Sequence, residues 1–543
     1  MGICTIKNEK KTINSSIPPK KKKSKITFRE TSDNLFESTT QSTPNSQEIN
    51  IQSHNSTPKN KMLVSIDSNI LINHNNRDPN IVYSKEKVLG NGSYGIVYLV
   101  KNKQLNKYFA MKTIKKKDKN KKLENTSLNN EIKILKSLDH PNILKITDFY
   151  ETNTEYNIIT EFCKEGELYK EIKSKSPFSE GLSAYYIREI LKAVCYCHSN
   201  NIIHRDLKPE NIMIFKKRNN GCNIIKIIDF GTATVFSEEK RENMITGTVQ
   251  YIAPEVISQN YNEKSDLWSC GVILYNMLTG KYPFGGDSQE EISYKITRGK
   301  FDIISHPWNI ISKEAKNLVC NLLIVDPNKR LSAKQALKHP WFNIEKVKKF
   351  LKMNELSENK VIKLIHNLIN YRSDNILKSA VIAYLVHNNS QLKDYYDAIK
   401  LFNQIDEDGD GKISKEELLN GLQYYLESEG EKLQNDIDLI FNNIDTNHNN
   451  FIEYEEFIVA AIDKENLLSK NCIQFAFNYF DRGCTGEISL NEIKKLFYCN
   501  EQNKKDYRAR EQLEECFKEV DVDNDGHLSF DEFYNMMKSI LIF

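Results

Sequence analysis

Apolar and polar positions follow one another along this chain in distinct ways, and the changes mark its parts. Up to about Asn80 there is no period. Ser, Thr, Asn and Lys dominate and aromatics are few, so the stretch cannot bury enough apolar surface to offset its ordering entropy and is expected to stay disordered. From Tyr83 the pattern tightens. Runs such as Ile96 to Val100 and Tyr108 to Ile114 predict strands, a helix carrying Glu131 follows, and helical spacing dominates to about Phe342. Between Asn343 and Tyr396 lies a helical connector, in which Val361, Leu364, Ile365 and Leu368 recur at i, i+3, i+4 and i+7 and form one apolar face. A fourfold repeat closes the chain. Acidic loops open at Asp406, Asp445, Asp481 and Asp521, thirty-six to forty residues apart, the period of a repeated supersecondary unit. Here the unit is helix, twelve-residue loop, helix.

The pattern divides the chain into 1–80, 81–342, 343–396 and 397–543. With 543 residues, 39% hydrophobic and 27% charged, it has material for several soluble cores. A net charge of +3 says little about partners, because lysines crowd the first quarter and acids the last third. No nucleic-acid partner is expected. The eleven cysteines follow no disulfide or metal-ligand spacing, and Cys195 and Cys197 read as packing residues. A reducing, cytoplasmic setting fits this usage. No apolar run approaches the length of a membrane span.

Candidate chemistry sharpens the second part. Leu89 leads into Gly90-Asn91-Gly92-Ser93-Tyr94-Gly95-Ile96-Val97, where glycines let backbone amides approach phosphate oxygens; alone, this could be a hairpin turn. Ala110-Met111-Lys112 follows on a strand, and Glu131 sits on the next helix, the spacing of a Lys–Glu pair that would hold Lys112 against phosphates. His204-Arg205-Asp206-Leu207-Lys208-Pro209-Glu210-Asn211 and then Asp229-Phe230-Gly231 complete a set suited to phosphoryl transfer. Asp206 would orient the acceptor hydroxyl and Lys208 would neutralise the moving phosphate. Asn211 and Asp229 would hold Mg²⁺ against ATP.

Residues from about Tyr83 to Phe342 resemble a eukaryotic protein kinase domain. The resemblance implies an α+β, two-lobed fold with ATP in the cleft, followed here by an all-α domain. It makes Thr160 the gatekeeper and Glu161 to Cys163 the adenine-binding hinge. Ala253-Pro254-Glu255 closes the activation segment, with Arg330 as the partner of Glu255. Lys208 and Gly247-Thr248 resemble the Ser/Thr branch. Glu167, at the edge of the nucleotide site, resembles a contact for a basic residue upstream of the phosphoacceptor; an exposed helix-start glutamate is the alternative. Asn243 and Met244 stand where many kinases carry an activating phosphate, although Ser237 and Thr246 lie nearby. Activation is expected from elsewhere.

The repeats supply that control. In loop 406–417, Asp406, Asp408, Asp410, Lys412 and Glu417 take positions one, three, five, seven and twelve, with Gly411 at the turn. Such oxygen-rich spacing suits Ca²⁺. Ile413 should pair with its counterpart in the partner loop. Loop 521–532 repeats the scheme with Asp521, Asp523, Asp525, Gly526, His527 and Glu532. Loop 445–456 offers Asp445, Asn447, Asn449, Phe451 and Glu456, with Asn450 for glycine. Asn tolerates the left-handed conformation, and fewer acids should weaken binding. In loop 481–492, Asp481, Thr485, Glu487 and Glu492 are present, but Gly483 removes a ligand, so binding there is expected to be weak or absent.

Kinase domain, amphipathic junction and four EF-hands in this order resemble the calcium-dependent protein kinases of plants and apicomplexan parasites. The resemblance implies a junction that inhibits the kinase until Ca²⁺ rearranges the EF-hands; a plain helical linker and a catalytically silent calcium-sensing scaffold are the alternatives. EF-hands that open expose an apolar groove, and the Val361-to-Leu368 face is a natural ligand for it. Protein substrates and a monomeric state are expected. Gly2, Cys4 and the Lys20–Lys23 run are candidate lipidation and membrane-contact features, although Ile6 departs from the usual motif and an unmodified basic tail is the alternative.

Overall fold

The computed structural model describes residues 72–92, 95–116, 122–216, 223–236, 248–258, 262–372, 375–389, 393–426, 430–497 and 507–541. Gly2, Cys4, Ser93, Tyr94, Ser237, Asn243, Met244, Thr246 and Gly247 lie outside them. The small lobe is a six-stranded sheet of β1 (Asn73–Asn75), β2 (Tyr83–Gly92), β3 (Gly95–Asn102), β4 (Lys107–Lys115), β5 (Ile146–Glu151) and β6 (Glu155–Glu161). Their order in the sheet is β1-β5-β6-β4-β3-β2. Alternation sets the two faces: in β4, Phe109, Met111 and Thr113 are buried while Ala110 and Lys112 take the opposite side.

One boundary moves. β1 pairs in parallel with β5, Asn73 opposite Asp148, and Ile72 is buried against Ile132, Ile146, Phe149 and Ile158. The stretch expected to be disordered to residue 80 therefore joins the folded body from Ile72. A three-residue strand added to an open sheet edge needs only backbone pairing, which polar composition does not reveal.

The large lobe is built round two helices. Glu180–Ser199 starts where the Ser179 hydroxyl accepts from the Leu182 amide at 3.2 Å. Lys264–Thr279 is buried from Ser265 to its end, as a central helix must be. Glu255 and Arg330 form a fully buried bidentate pair, Nη2 to Oε2 at 2.9 Å, that ties two distant segments together.

The C-terminal half comprises four helix–loop–helix units: Lys393–Ile405 with Lys415–Leu422, Gly430–Ile444 with Tyr454–Ala461, Lys470–Phe480 with Leu490–Phe497, and Tyr507–Val520 with Phe530–Lys538. Two-residue bridges couple the loops in pairs, Ile413 opposite Ile452 and Ile488 opposite Leu528.

The connector divides. Its first helix, Glu345–Met353, lies on the large lobe so closely that a Cβ on Gly181 would meet the Phe350 ring. Its next two helices, Glu358–Asn370 and Ile376–His387, belong to the C-terminal half. Val361, Leu364, Ile365 and Leu368 are buried in one core with Phe402, Phe441 and Phe457. That core continues into Cys163, Phe215 and Ile224 of the two-lobed body.

Beside β1, the Tyr83 hydroxyl donates to a buried Asp148 Oδ2 at 2.5 Å. Burial pushes the Asp148 carboxyl up to about 7, against the pull of Tyr83. The folded chain thus keeps a proton that the unfolded chain loses near pH 4, so this group costs stability as pH rises from about 4 through 7. Asp148→Asn, which removes the charge and keeps an acceptor for Tyr83, should gain stability relative to the parent by roughly 2–3 kcal/mol between pH 5 and pH 8. Thermal melts at the two pH values check this.

Candidate active site and calcium loops

Strand register gathers the nucleotide-side residues. Val97 lies opposite Lys112, and Ala110 opposite Thr160, so these four share one face of the sheet. Gly90 pairs with Val97 and Asn91 with Ile96, with Leu89 exposed at the rim. A Cβ on Gly90 would meet nothing within 4 Å, while one on Gly95 would strike the Thr113 carbonyl. The first glycine leaves room above the face; the second lets two strands close.

Lys112 Nζ donates to Glu131 Oε1 at 2.7 Å and stands 3.9 Å from Asp229 Oδ1. The hinge is anchored from behind. The Glu161 carboxylate is buried, accepts the Lys145 amide at 2.9 Å and pairs with a buried Lys226 at 2.8 Å. Cys163 is buried beside it, and Glu167 is half-buried at a helix start, 3.4 Å from Lys170.

Across the cleft, Asp206 is the hub. Its Oδ2 accepts from Lys208 Nζ at 2.7 Å and from Asn211 Nδ2 at 3.0 Å. Lys208 also donates to the Thr248 hydroxyl at 2.9 Å, and the Thr248 amide donates to Asp206 Oδ1 at 3.3 Å. Arg205 and Asp229 both hold positive φ, 69° and 62°, conformations a packed surround must enforce. That surround includes Asp266, which no local motif announces. Its two oxygens accept the His204 and Arg205 amides at 3.0 Å each. Burial opposes its charge, but hydrogen bonding to His198 and these contacts hold its carboxyl below the usual range. Phe230 is fully buried, edge-on to His204.

The donor set fits nucleotide and divalent metal. Asp229 Oδ1 is buried with no hydrogen-bond partner among the described residues, 3.9 Å from Lys112 Nζ of the Lys112–Glu131 pair. Together with Asn211 it could hold Mg²⁺.

The loops show the same signature. Asp406, Asp408 and Asp410 converge, as do Asp521, Asp523 and Asp525, and Asp406 Oδ2 and Asp521 Oδ1 are buried without a hydrogen-bond partner among the described residues. Burial, then the neighbouring Asp408 carboxylate, pushes Asp410 up to about 6, a cost that a divalent cation would relieve. Each closing glutamate folds back: Glu417 Oε1 accepts the Glu407 amide at 3.1 Å, and Glu532 Oε1 accepts the Val522 amide at 2.8 Å. Lys412 and His527 occupy short bridging strands, as does Ile413.

In the second loop Asn450 adopts φ 64°, the turn conformation that glycine holds in Gly411 and Gly526. Asn449 donates to Glu453 at 3.0 Å, so Glu453 at position nine adds an acid that the spacing of Asp445, Asn447, Phe451 and Glu456 did not single out. In the third, Glu492 accepts the Gly483 amide at 2.7 Å, and the Thr485 hydroxyl is turned to the Glu487 carbonyl at 2.9 Å. Asp481 accepts the Thr485 amide.

The two halves meet on the side of the hinge away from the cleft. Lys145 reaches Glu455 Oε1 at 3.3 Å and Asp139 at 3.8 Å, and the Glu455 amide donates to Asp139 at 2.9 Å. His387 Nε2 lies 2.9 Å from the Ile146 carbonyl. Burial opposes the Glu455 charge, yet Lys145 and His387 hold its carboxyl well below the usual range. Sequence gave no sign of these residues, because each meets a partner hundreds of positions away.

Comparison with known proteins agrees with this geometry. Residues 83–342 match the protein kinase domain, and residues 395–461 and 470–538 match the EF-hand domain pair. The chain is 36% identical to calcium-dependent protein kinase 4 of Plasmodium falciparum over 85% of its own length and 88% of that protein's. It is 37% identical to calcium-dependent protein kinase 3 of Plasmodium berghei, covering 83% of this chain and 79% of that one. With Lys112, Asp206 and Asp229 assembled in one cleft and four helix–loop–helix units attached, the chain belongs to the calcium-dependent protein kinases, calcium-regulated serine/threonine kinases that use ATP, Mg²⁺ and Ca²⁺.

Proposed function

We propose that calcium switches this kinase by deciding where the connector helix Glu358–Asn370 lies. One observation carries the reading. The apolar face of that helix is buried inside the EF-hand half in the same molecule in which the Lys112–Glu131 pair is closed. Burying four such side chains is worth about 1.5–3 kcal/mol each, as an upper bound. Calcium-loaded EF-hands hold the helix; without calcium the face seeks another surface, and the kinase is inhibited.

In the cleft, Asp206 orients the substrate hydroxyl and takes up its proton. Lys208, fixed by Asp206 and Thr248, faces the moving phosphate. Lys112, held by Glu131, positions the nucleotide phosphates. Asn211 and Asp229 would hold magnesium, which would supply charge neutralisation to the phosphates. Glu167, whose side chain is partly exposed and paired with an exposed Lys170, supports substrates with a basic residue before the phosphoacceptor. Loops one, two and four take calcium, and loop three serves as the bridge partner of loop four. We place the enzyme in the cytoplasm as a monomer, with peripheral membrane contact through Gly2, Cys4 and the lysine run when Gly2 is acylated.

Transfer of labelled phosphate to a basic Ser/Thr peptide should be strong in calcium and weak in chelator. Asp229→Ala should lower the calcium-stimulated rate at least about a hundredfold. Equal rates in calcium and chelator would remove the switch, and an inactive wild type would remove the enzyme.

Glu456→Gln and Glu532→Gln, made separately, should each raise the calcium needed for half-activation by roughly tenfold, the scale on which ligand charge tunes such loops. Calcium–activity curves read this directly, and unchanged midpoints for both would take those loops out of the switch.

A further inference from the structure

Loop 406–417 differs from the other three in what touches its ligands. Lys334, on the Ala333–Leu337 helix of the kinase, pairs with Asp408 Oδ2 at 2.8 Å. Lys192, on Glu180–Ser199, is fully buried, donates to the Asn403 carbonyl at 2.7 Å and to the Asp406 carbonyl at 2.5 Å, and lies 3.8 Å from Asp406 Oδ2. Two kinase cations thus sit against calcium-ligand positions one and three. The loop's backbone is pressed onto the same surface: a Cβ on Gly409 would meet Leu337 and Lys192, and one on Gly411 would meet Tyr196. Gly526, at the matching turn of loop 521–532, has open space around it.

We propose that Lys334 and Lys192 belong electrostatically to the first calcium site, and that docking on the kinase lowers that site's calcium affinity. The three convergent carboxylates attract Ca²⁺ by their charge, and each lysine offsets part of it at short range. Lys334 also fixes one Asp408 oxygen, so an incoming ion must share that carboxylate or displace the lysine. Linkage makes the effect mutual: calcium in this loop loosens the loop's hold on the kinase by the same factor. The first loop therefore opposes the docking that the connector and the other loops favour. This rests on the calcium-switch reading only for the identity of the ligand.

Calorimetric calcium titration of the full chain tests it, in a background carrying Glu456→Gln and Glu532→Gln so that the first loop dominates. Lys334 is more than half exposed, so replacing it leaves the fold intact, which a melt verifies. Lys334→Ala should tighten calcium binding about threefold, while Lys334→Arg, which keeps the charge, should match the parent. An unchanged or weaker affinity in Lys334→Ala would overturn the inference. A kinase rate indifferent to calcium, alongside tighter binding in Lys334→Ala, would instead defeat the switch and leave this inference standing.

Discussion

Burial of one apolar helix face organises this molecule. Val361, Leu364, Ile365 and Leu368 need a hydrophobic partner, and the EF-hand half supplies one through Phe402, Phe441 and Phe457. Once that helix is taken up, the length of chain back to Glu345–Met353, which is fixed on the large lobe, limits where the EF-hand half can sit. It sits behind the hinge, and its core runs on without a break into Cys163 and Phe215. Calcium and catalysis are thereby joined through packing rather than through a shared ligand.

Polar chemistry then fixes the register of that packing. Lys145 and Lys192 of the kinase meet Glu455, Asn403 and Asp406 of the EF-hand half in surroundings where an unpaired charge would be costly. The hinge pair Glu161–Lys226 lies just beneath the same surface, close to Tyr395. Docking therefore desolvates groups that hold the adenine-side backbone in place, which gives the EF-hand half a physical handle on the cleft without entering it.

The sequence disclosed the chemistry far better than the assembly. Asp206, Lys208, Asn211 and Asp229 were legible because phosphoryl transfer demands those residue types at short, fixed spacing. Asp406 to Glu417 and Asp521 to Glu532 were legible for the same reason, since one ion must be wrapped by one loop. The 3.6-residue period exposed the connector's face. By contrast, Asp266 and Lys192 act on partners far along the chain, and nothing in their neighbourhood distinguishes them from a helix acid or a solvated lysine. β1 escaped because backbone pairing leaves no mark in side-chain pattern. Glu453 was overlooked because position nine of an EF-hand loop tolerates many residues, and only the neighbouring amides reveal its part.

Hydrogen exchange on the full chain, with calcium and with chelator, tests the linkage most directly. The account predicts that calcium slows exchange together in the connector helix Glu358–Asn370 and in the segments bearing Lys145 and Ile146, and that chelator speeds both. Identical exchange of these segments in the two conditions, while the loops themselves respond to calcium, would contradict it.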